Sequence, residues 1–263
     1  MQCDRCKGEQ LNKAGRDRQG RQRSRCQTCG RRLTTCSGSA FSGYRFPDEV
    51  TAVAVRWYLR FRLSYADVVE WLAEHGVQVD ASTVYDWVRA FTPRFISAAR
   101  THRSAIGRSW RVDETYIKIG KRWHELFRAI DEYGQIVDVY LSHRRDRAAA
   151  EAFFAGALQT TTVPPSTVTT DQAKCYPPAV RTLLPNVEHR TSKYLNNRLE
   201  RYYQHLKGRI RPMRWFKTVS GAATFSGGHA LIRNLRAGFS SLTASVGIHL
   251  RLATAWSARA ARL

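Results

Sequence analysis

Three acidic residues stand where a carboxylate is expensive to place. Asp113 lies in the middle of Arg111-Val112-Asp113-Glu114-Thr115-Tyr116-Ile117-Lys118-Ile119, a β-branched and aromatic run that reads as a strand. Asp171 closes the β-type run Thr167-Val168-Thr169-Thr170, and Glu200 falls in a helical stretch from Asn196 to Arg211. A carboxylate in a central strand needs a cation or hydrogen bonds to compensate its burial. Two strand-borne aspartates and one helix-borne glutamate at one sheet edge would hold a pair of divalent ions, Mg2+ or Mn2+, because hard cations take oxygen ligands. Two such ions roughly 4 Å apart activate the attacking oxygen and stabilise the leaving oxygen in phosphodiester chemistry. Residue types alone leave the choice of acids open. Asp113 and Glu114 are neighbours on a strand and point to opposite faces, so only one of them is expected to line a site. Asp131, Asp138 and Asp146 are rivals with simpler roles as turn former, strand-face residue and helix cap.

The second chemically informative pattern is Cys3-x2-Cys6 with Cys26-x2-Cys29. Each pair presents two thiolates from a tight turn, and two such turns complete one tetrahedral, structural zinc site. The arm between them is polar and basic (Lys13, Arg16, Arg18, Arg21, Arg23, Arg25), so the metal would supply most of its folding energy. Cys36 and Cys175 have no partner pattern, and His124, His143 and His189 have none spaced for zinc.

The elements that must position these residues follow the chain. Residues 1–36 read as the zinc knuckle or ribbon, 37–43 as a small-residue linker, 44–93 as three helices, and 94–108 as a basic connector. Pro47-Asp48-Glu49 opens the first helix, with Val50, Val53, Ala54, Trp57 and Phe61 expected on its inner side. Ser64-x-x-Asp67 resembles a capping box for the second helix, which Gly76 ends. Asp80 starts the third, with Val84, Trp87, Val88 and Phe91 inward and Pro93 stopping it. The last two helices have the spacing of a helix-turn-helix, which makes Ser82, Thr83, Tyr85 and Arg89 the candidate DNA contacts. Residues 109–240 give three hairpin-connected strands and then alternating helices and strands, an α/β domain with a mixed sheet of the ribonuclease-H-like kind. In its last helix Glu200 and Lys207 are seven residues apart and share a face with Asn196 and Tyr203. That places Lys207 beside the same groove, suited to a DNA phosphate. Leu199, Tyr202, Leu206 and Ile210 form the apolar stripe next to it. Residues 241–263 read as a basic helical tail.

Charge points to the partner. Forty-three Lys and Arg against twenty-one Asp and Glu leave a net charge of +22, a field that attracts a polyanion, here double-stranded DNA. The 263 residues contain no apolar run long enough for a membrane span, and Met1-Gln2-Cys3-Asp4 does not open a secretory signal. A cytoplasmic, nucleoid-associated protein is therefore expected, with its cysteines as metal ligands or free thiols.

Several motifs in order carry a resemblance: Trp57-Tyr58 followed by Ser64-Tyr65, Val84-Tyr85-Asp86-Trp87-Val88, Val112-Asp113-Glu114-Thr115-Tyr116, Thr170-Asp171-Gln172, Val187-Glu188-His189-Arg190, Asn196-Asn197-Arg198-Leu199-Glu200 and Trp215-Phe216-Lys217-Thr218. Over about residues 44–240 the chain resembles the acidic-triad (DDE) transposases of bacterial insertion sequences, closest to the insertion-sequence-six family. The resemblance implies a catalytic, metal-binding triad of Asp113, Asp171 and Glu200, two Mg2+ or Mn2+ ions per active site, and Lys207 as the family's basic position. It thereby prefers Asp113 over Glu114. It implies binding of the terminal inverted repeats, cleavage there, and joining of the freed 3′ hydroxyl to target DNA, usually with a cointegrate-type product. A homodimer or larger synaptic complex is implied too. The zinc module lies outside the shared region, as an added DNA-end contact. Two departures stand out: only 28 residues separate Asp171 from Glu200, a shorter connection than the family's, and Tyr202-Tyr203 replace its frequent acidic-His pair. The alternatives are a transposase-derived DNA-binding regulator without strand transfer and a general ribonuclease-H-like nuclease or resolvase.

Overall fold

The computed structural model describes the whole chain except residues 1, 18–19, 35–36, 193–196 and 262, and of residues 197–201 it describes the backbone alone. Cys36 and Asn196 lie outside the described residues, as do the side chains of Leu199 and Glu200.

The amino-terminal arm is a small antiparallel sheet of β1 (Leu11–Arg16), β2 (Gln22–Cys26) and β3 (Arg32–Leu33). Its buried apolar content is Cys3, Cys26 and Leu33, with Leu11 and Cys29 packed against them. So few groups cannot offset the chain entropy of ordering the arm, which makes a cross-link at the cysteines necessary.

Helices α1 (Asp48–Arg60), α2 (Tyr65–Glu74) and α3 (Ala81–Arg100) follow. The capping box at α2 is formed: the Asp67 amide donates to Ser64 Oγ at 3.1 Å, and the Ser64 amide to Asp67 Oδ2 at 2.7 Å. Val84, Trp87, Val88 and Phe91 are buried as the periodicity predicts. Two expectations are corrected. Helix α3 does not stop at Pro93 but runs through it to Arg100, because Phe95 and Ala99 continue the same buried face and packing outweighs the hydrogen bond the proline forfeits. On α1 the buried residues are Thr51, Ala52, Ala54, Val55, Tyr58 and Leu59, while Phe61 is exposed. Ala54 of the expected stripe is among them, and Val50 and Trp57 pack half-buried on the same core, but the helix is covered by α3, by α7 (Val219–Ala237) and by α8 (Arg251–Ala260), so its inner face is broader than the one stripe read in sequence.

The catalytic-sized domain carries β4 (Ser109–Ile119), β5 (Arg122–Asp131), β6 (Ile136–Ser142), α4 (Arg147–Gln159), β7 (Thr167–Thr170), α5 (Tyr176–Leu183), β8 (Glu188–Thr191) and α6 (Asn197–Ile210). Its sheet order is β6-β5-β4-β7-β8. β5 is antiparallel to β4 and β6, while β7 runs parallel to β4 and β8 parallel to β7. A first strand at the centre, a hairpin on one side and crossover strands on the other is the ribonuclease-H-like order. Strand alternation sorts the two faces. Trp110, Val112, Phe127 and Val168 pack under α4 and α5 with Phe153, Phe154 and Tyr176. Ile117, Ile119 and Leu126 face the other way, into a core shared with Leu206 and Ile210 of α6, Phe225 of α7 and the buried side chains of α1–α3. The amino-terminal helices and the sheet are thus joined by one continuous core.

The tail has a structural role that its sequence did not disclose. Trp256 of α8 is buried against Phe95 (ring centroids 4.0 Å apart, stacked), and its indole N–H donates to the Ala52 carbonyl at 2.8 Å. The helix therefore clasps α1 and α3 from outside. Trp256→Ala is expected to destabilise the chain by about 3–5 kcal/mol, the usual cost of truncating a buried aromatic. A denaturant midpoint unchanged by that substitution would show that the clasp contributes nothing.

Candidate active site

The parallel register of β4 with β7 ends at Arg111 opposite Thr169. Asp113 and Asp171 each lie two residues beyond that pair, at the same level, where the two strands part. Their separation opens a notch in the sheet. Single carboxylate oxygens of Asp113, Glu114 and Asp171 lie within 4.8 Å of one another there. The expectation that only one of Asp113 and Glu114 can serve the site is therefore corrected. Alternation does send them to opposite faces, since Glu114 receives a hydrogen bond from Tyr176 in the α4–α5 core and the Asp113 backbone is held from the α6 side. Beside a notch, however, both side chains can reach round the strand to the same gap. The Asp113 side chain is turned along the strand, with its Oδ1 accepting from the Glu114 amide at 2.9 Å.

Arg145 balances the charge of this cluster. Its guanidinium forms ion pairs with Glu114 and, at 2.6 Å, with Asp171 Oδ2, while Asp171 Oδ1 accepts from the Ala173 amide at 2.9 Å. Burial pushes the Glu114 carboxyl up to about 7, against the opposing pull of the Tyr176 hydroxyl and Arg145. Sequence reasoning missed Arg145 and Tyr176. The available signal was position: Arg145 directly precedes the Asp146 cap at the carboxyl end of the sheet, where α/β folds bind their ligands. An oxygen-only donor set of this closeness fits a hard divalent cation. Because Arg145 competes for the same oxygens, Arg145→Met is expected to tighten Mn2+ binding on the order of tenfold, the scale of one neighbouring unit charge. Titration calorimetry checks this, and weaker binding would mean that Arg145 orients the acids instead of competing for them.

Helix α6 approaches the notch from the other face. Tyr203 is buried, its hydroxyl donates to the Asp113 carbonyl at 2.6 Å, and the guanidinium of Arg128, the residue paired with Asp113 across β5, lies 5.2 Å from its ring centre. The sequence placed Tyr203 on the groove face with Glu200, and Leu206 and Ile210 in the stripe beside it; all three are buried. Lys207 is half-buried one turn beyond Tyr203. The Glu200 side chain is not among the described residues.

The rival acids keep their simpler roles. Asp131 accepts from the amides of Gly107, Tyr133 and Gln135 at 2.8–3.0 Å and so builds the β5–β6 turn. Asp146 caps α4 through the Ala149 amide at 2.9 Å. Asp138 is held above its ordinary range by burial, with Arg100 and Arg103 as its nearby cations.

In the amino-terminal arm, the Sγ atoms of Cys3, Cys6, Cys26 and Cys29 lie within 4.8 Å of one another. Cys3–Cys29 and Cys6–Cys26 contacts of 3.5 Å are far too long for disulfides and close to the ~3.8 Å edge of a zinc tetrathiolate. Each turn closes in the same way. The Lys7 amide donates to the Cys3 carbonyl, the Gly30 amide to the Cys26 carbonyl, both at 2.9 Å, and Lys7 and Gly30 are left-handed. The Cys29 amide directed at the Cys26 sulfur holds that thiol down at about 6, which favours the ligating thiolate. The donor set and its spacing fit zinc. Ser82 and Arg89 are exposed on α3, and Thr83 and Tyr85 half-exposed; Arg89 stacks over the Tyr85 ring at 5.4 Å.

A family profile described as a DDE domain, of the IS240 transposase type, matches residues 107–238. The transposase for the insertion sequence-like element IS431mec of Staphylococcus aureus is 39% identical over 170 residues, which cover 63% of this chain and 75% of that one. The transposase for insertion sequence element IS257 in transposon Tn4003, also of Staphylococcus aureus, matches to the same extent. Among solved structures, the HTLV-2 integrase catalytic core domain in complex with magnesium is similar at 17% identity and a TM-score of 0.34, over 42% of this chain and 74% of that one. On the family profile and these curated relatives, the chain belongs to the DDE-domain transposases of bacterial insertion sequences.

Proposed function

We propose that this transposase binds the terminal inverted repeats of its element, cleaves there through Asp113, Asp171 and Glu200, and joins the freed 3′ hydroxyl to target DNA. The observation that carries the reading is the notch between β4 and β7, where Asp113 and Asp171 stand level with each other. Position 200 supports it. It lies one turn before Tyr203 on α6, the residue anchored to the Asp113 backbone, and so belongs to the same side of the helix by its spacing. The three carboxylates would hold two Mg2+ or Mn2+ ions, which when bound lower the pKa of the attacking oxygen and stabilise the leaving one.

The chain's own residues do the remaining work. Tyr203 fixes the height of α6 over β4, while Arg145 offsets the charge of Asp171 and Glu114 until a cation takes its place. Glu114 is the supporting acid, anchored by Tyr176, and not a member of the triad. Lys207 holds a phosphate along the groove. Ser82, Thr83, Tyr85 and Arg89 contact the element end, aided by the zinc-held arm, whose Cys3, Cys6, Cys26 and Cys29 bind one structural Zn2+. Two ends must be held together for transposition, so the working form is a homodimer or larger on double-stranded DNA, in the cytoplasm on the nucleoid.

The test uses purified full chain with Mg2+ or Mn2+ and duplexes ending in the inverted repeats that flank its gene. Nicking at the repeat tip and 3′ joining to a second duplex are expected. Cleavage indifferent to the repeat would turn the reading toward a general nuclease, and binding with no cleavage toward a regulator.

A further inference from the structure

On the side of α6 away from the notch, a cavity of about 220 Å3 lies where the end of α1 meets α6 and α7. Five arginines line it, Arg60, Arg62, Arg209, Arg233 and Arg236, together with His205 and His229, and no carboxylate does among the described residues. A second cavity of about 400 Å3 shares Arg60, Phe61 and Arg236 with the first and adds Arg56 and His249, so the two form one basic groove. Cations converge here at the expense of repulsion. His205, Arg60 and Arg236 are all held below their ordinary ranges, first by burial and then by neighbouring arginines.

Donors in the groove also lack partners among the described residues. Arg209 is buried; one of its nitrogens donates to the Tyr58 carbonyl at 2.5 Å, while Nε and Nη1 make no hydrogen bond. His229 Nδ1 and Arg233 Nε are in the same position. Buried donors without acceptors are rare because each forfeits the hydrogen bonds it had to water. Unpaired guanidinium donors from Arg209 and Arg233 around one cavity describe a site built for an acceptor-only ligand with more than one negative charge. Guanidinium forks match phosphate oxygens in both geometry and charge.

We propose that this groove binds phosphate groups, two or more in a row. The cavity spans α1 of the DNA-reading helices and α6 of the catalytic domain, so an occupying phosphate ties the two together from the side opposite the acids. The phosphates come either from a DNA strand crossing the groove or from a free polyphosphate.

The test follows the melting temperature of the full chain with tripolyphosphate, against sodium chloride of equal ionic strength. A rise specific to tripolyphosphate is expected, and Arg60→Gln with Arg236→Gln should remove it. Both residues lie at the rim, so folding should survive; the single Arg236→Gln, at an exposed site, serves if it does not and should at least halve the rise. The control Arg122→Gln, on an exposed strand end, should keep the whole rise. Tripolyphosphate that displaces DNA, with the salt dependence of DNA binding shallower by about 0.9 per lost phosphate contact in the variant, identifies the DNA strand as the source. Tripolyphosphate bound alongside DNA, with an unchanged slope, identifies a free polyphosphate. A rise no larger than that in chloride, or one kept by the groove variants, overturns the proposal.

Discussion

Asp113→Asn and Asp171→Asn variants are expected to bind element ends as the natural chain does and to join none of them. Each substitution is nearly isosteric, so the fold should persist, while the oxygen donor that a hard cation requires is replaced in part by an amide. Strand transfer should fall to background, a loss of at least about 1,000-fold, in line with removal of a group that stabilises transition-state charge. Glu114→Gln provides the contrast. Glu114 sits in the same oxygen cluster but is held by Tyr176 and Arg145 on the α4–α5 face. Its loss is expected to lower activity by about 10–100-fold, the range for groups that orient metal ligands. A joining assay with pre-nicked inverted-repeat duplexes separates the outcomes. Full activity in either aspartate variant would remove that residue from the triad, and a Glu114 variant as inactive as the aspartate ones would make Glu114 a ligand in its own right.

The second large effect concerns the amino-terminal arm. Chelating the zinc proposed for its four cysteines, or replacing Cys26 by serine, is expected to unfold residues 1–36 and leave the rest folded. The arm's apolar core consists of Leu11, Leu33 and the cysteines themselves, whereas zinc binding to such peptides is worth about 10–16 kcal/mol near neutral pH. One glycine adds to the case. A Cβ at Gly8 would meet Thr28 Oγ1 at 2.8 Å and Cys6 Sγ at 3.4 Å, so the first turn packs directly on the second. Hydrogen exchange checks the prediction: amides of β1 and β2 should lose protection in chelator while those of β4 and β5 keep it. Persisting protection at Gln22–Cys26 would mean that the arm folds without metal.

Much of this arrangement was legible in the sequence, and the exceptions have physical causes. The strands from 109 to 191 were marked by β-branched runs between turn residues, and the expected order of three hairpin-connected strands followed by alternating helices and strands is the one found. Asp131 and Asp146 were read as turn and cap because local chemistry decides such roles. What local pattern does not carry is what depends on distant packing. Pro93 ends a helix by propensity, yet the helix continues because Phe95 and Ala99 have a core to enter. The α1 stripe was read too narrowly because α7 and α8, far along the chain, cover a further side of the helix. The pairing of Asp113 with Glu114 at one notch follows from where β7 stops, and Arg145 joins them from 31 residues away in sequence (145 − 114). The departure at Tyr202-Tyr203 also finds its use: Tyr203 ties α6 to β4, and the Tyr202 hydroxyl donates to the Gly134 carbonyl at 2.7 Å.

The most direct measurement is anomalous diffraction from crystals of the full chain soaked in Mn2+. Peaks are predicted in the notch between β4 and β7, within coordination distance of carboxylate oxygens from Asp113, Asp171 and Glu200, with Arg145 turned away. Manganese bound elsewhere, or a crystal in which Glu200 points away from Asp113 with the ion in place, would contradict the account.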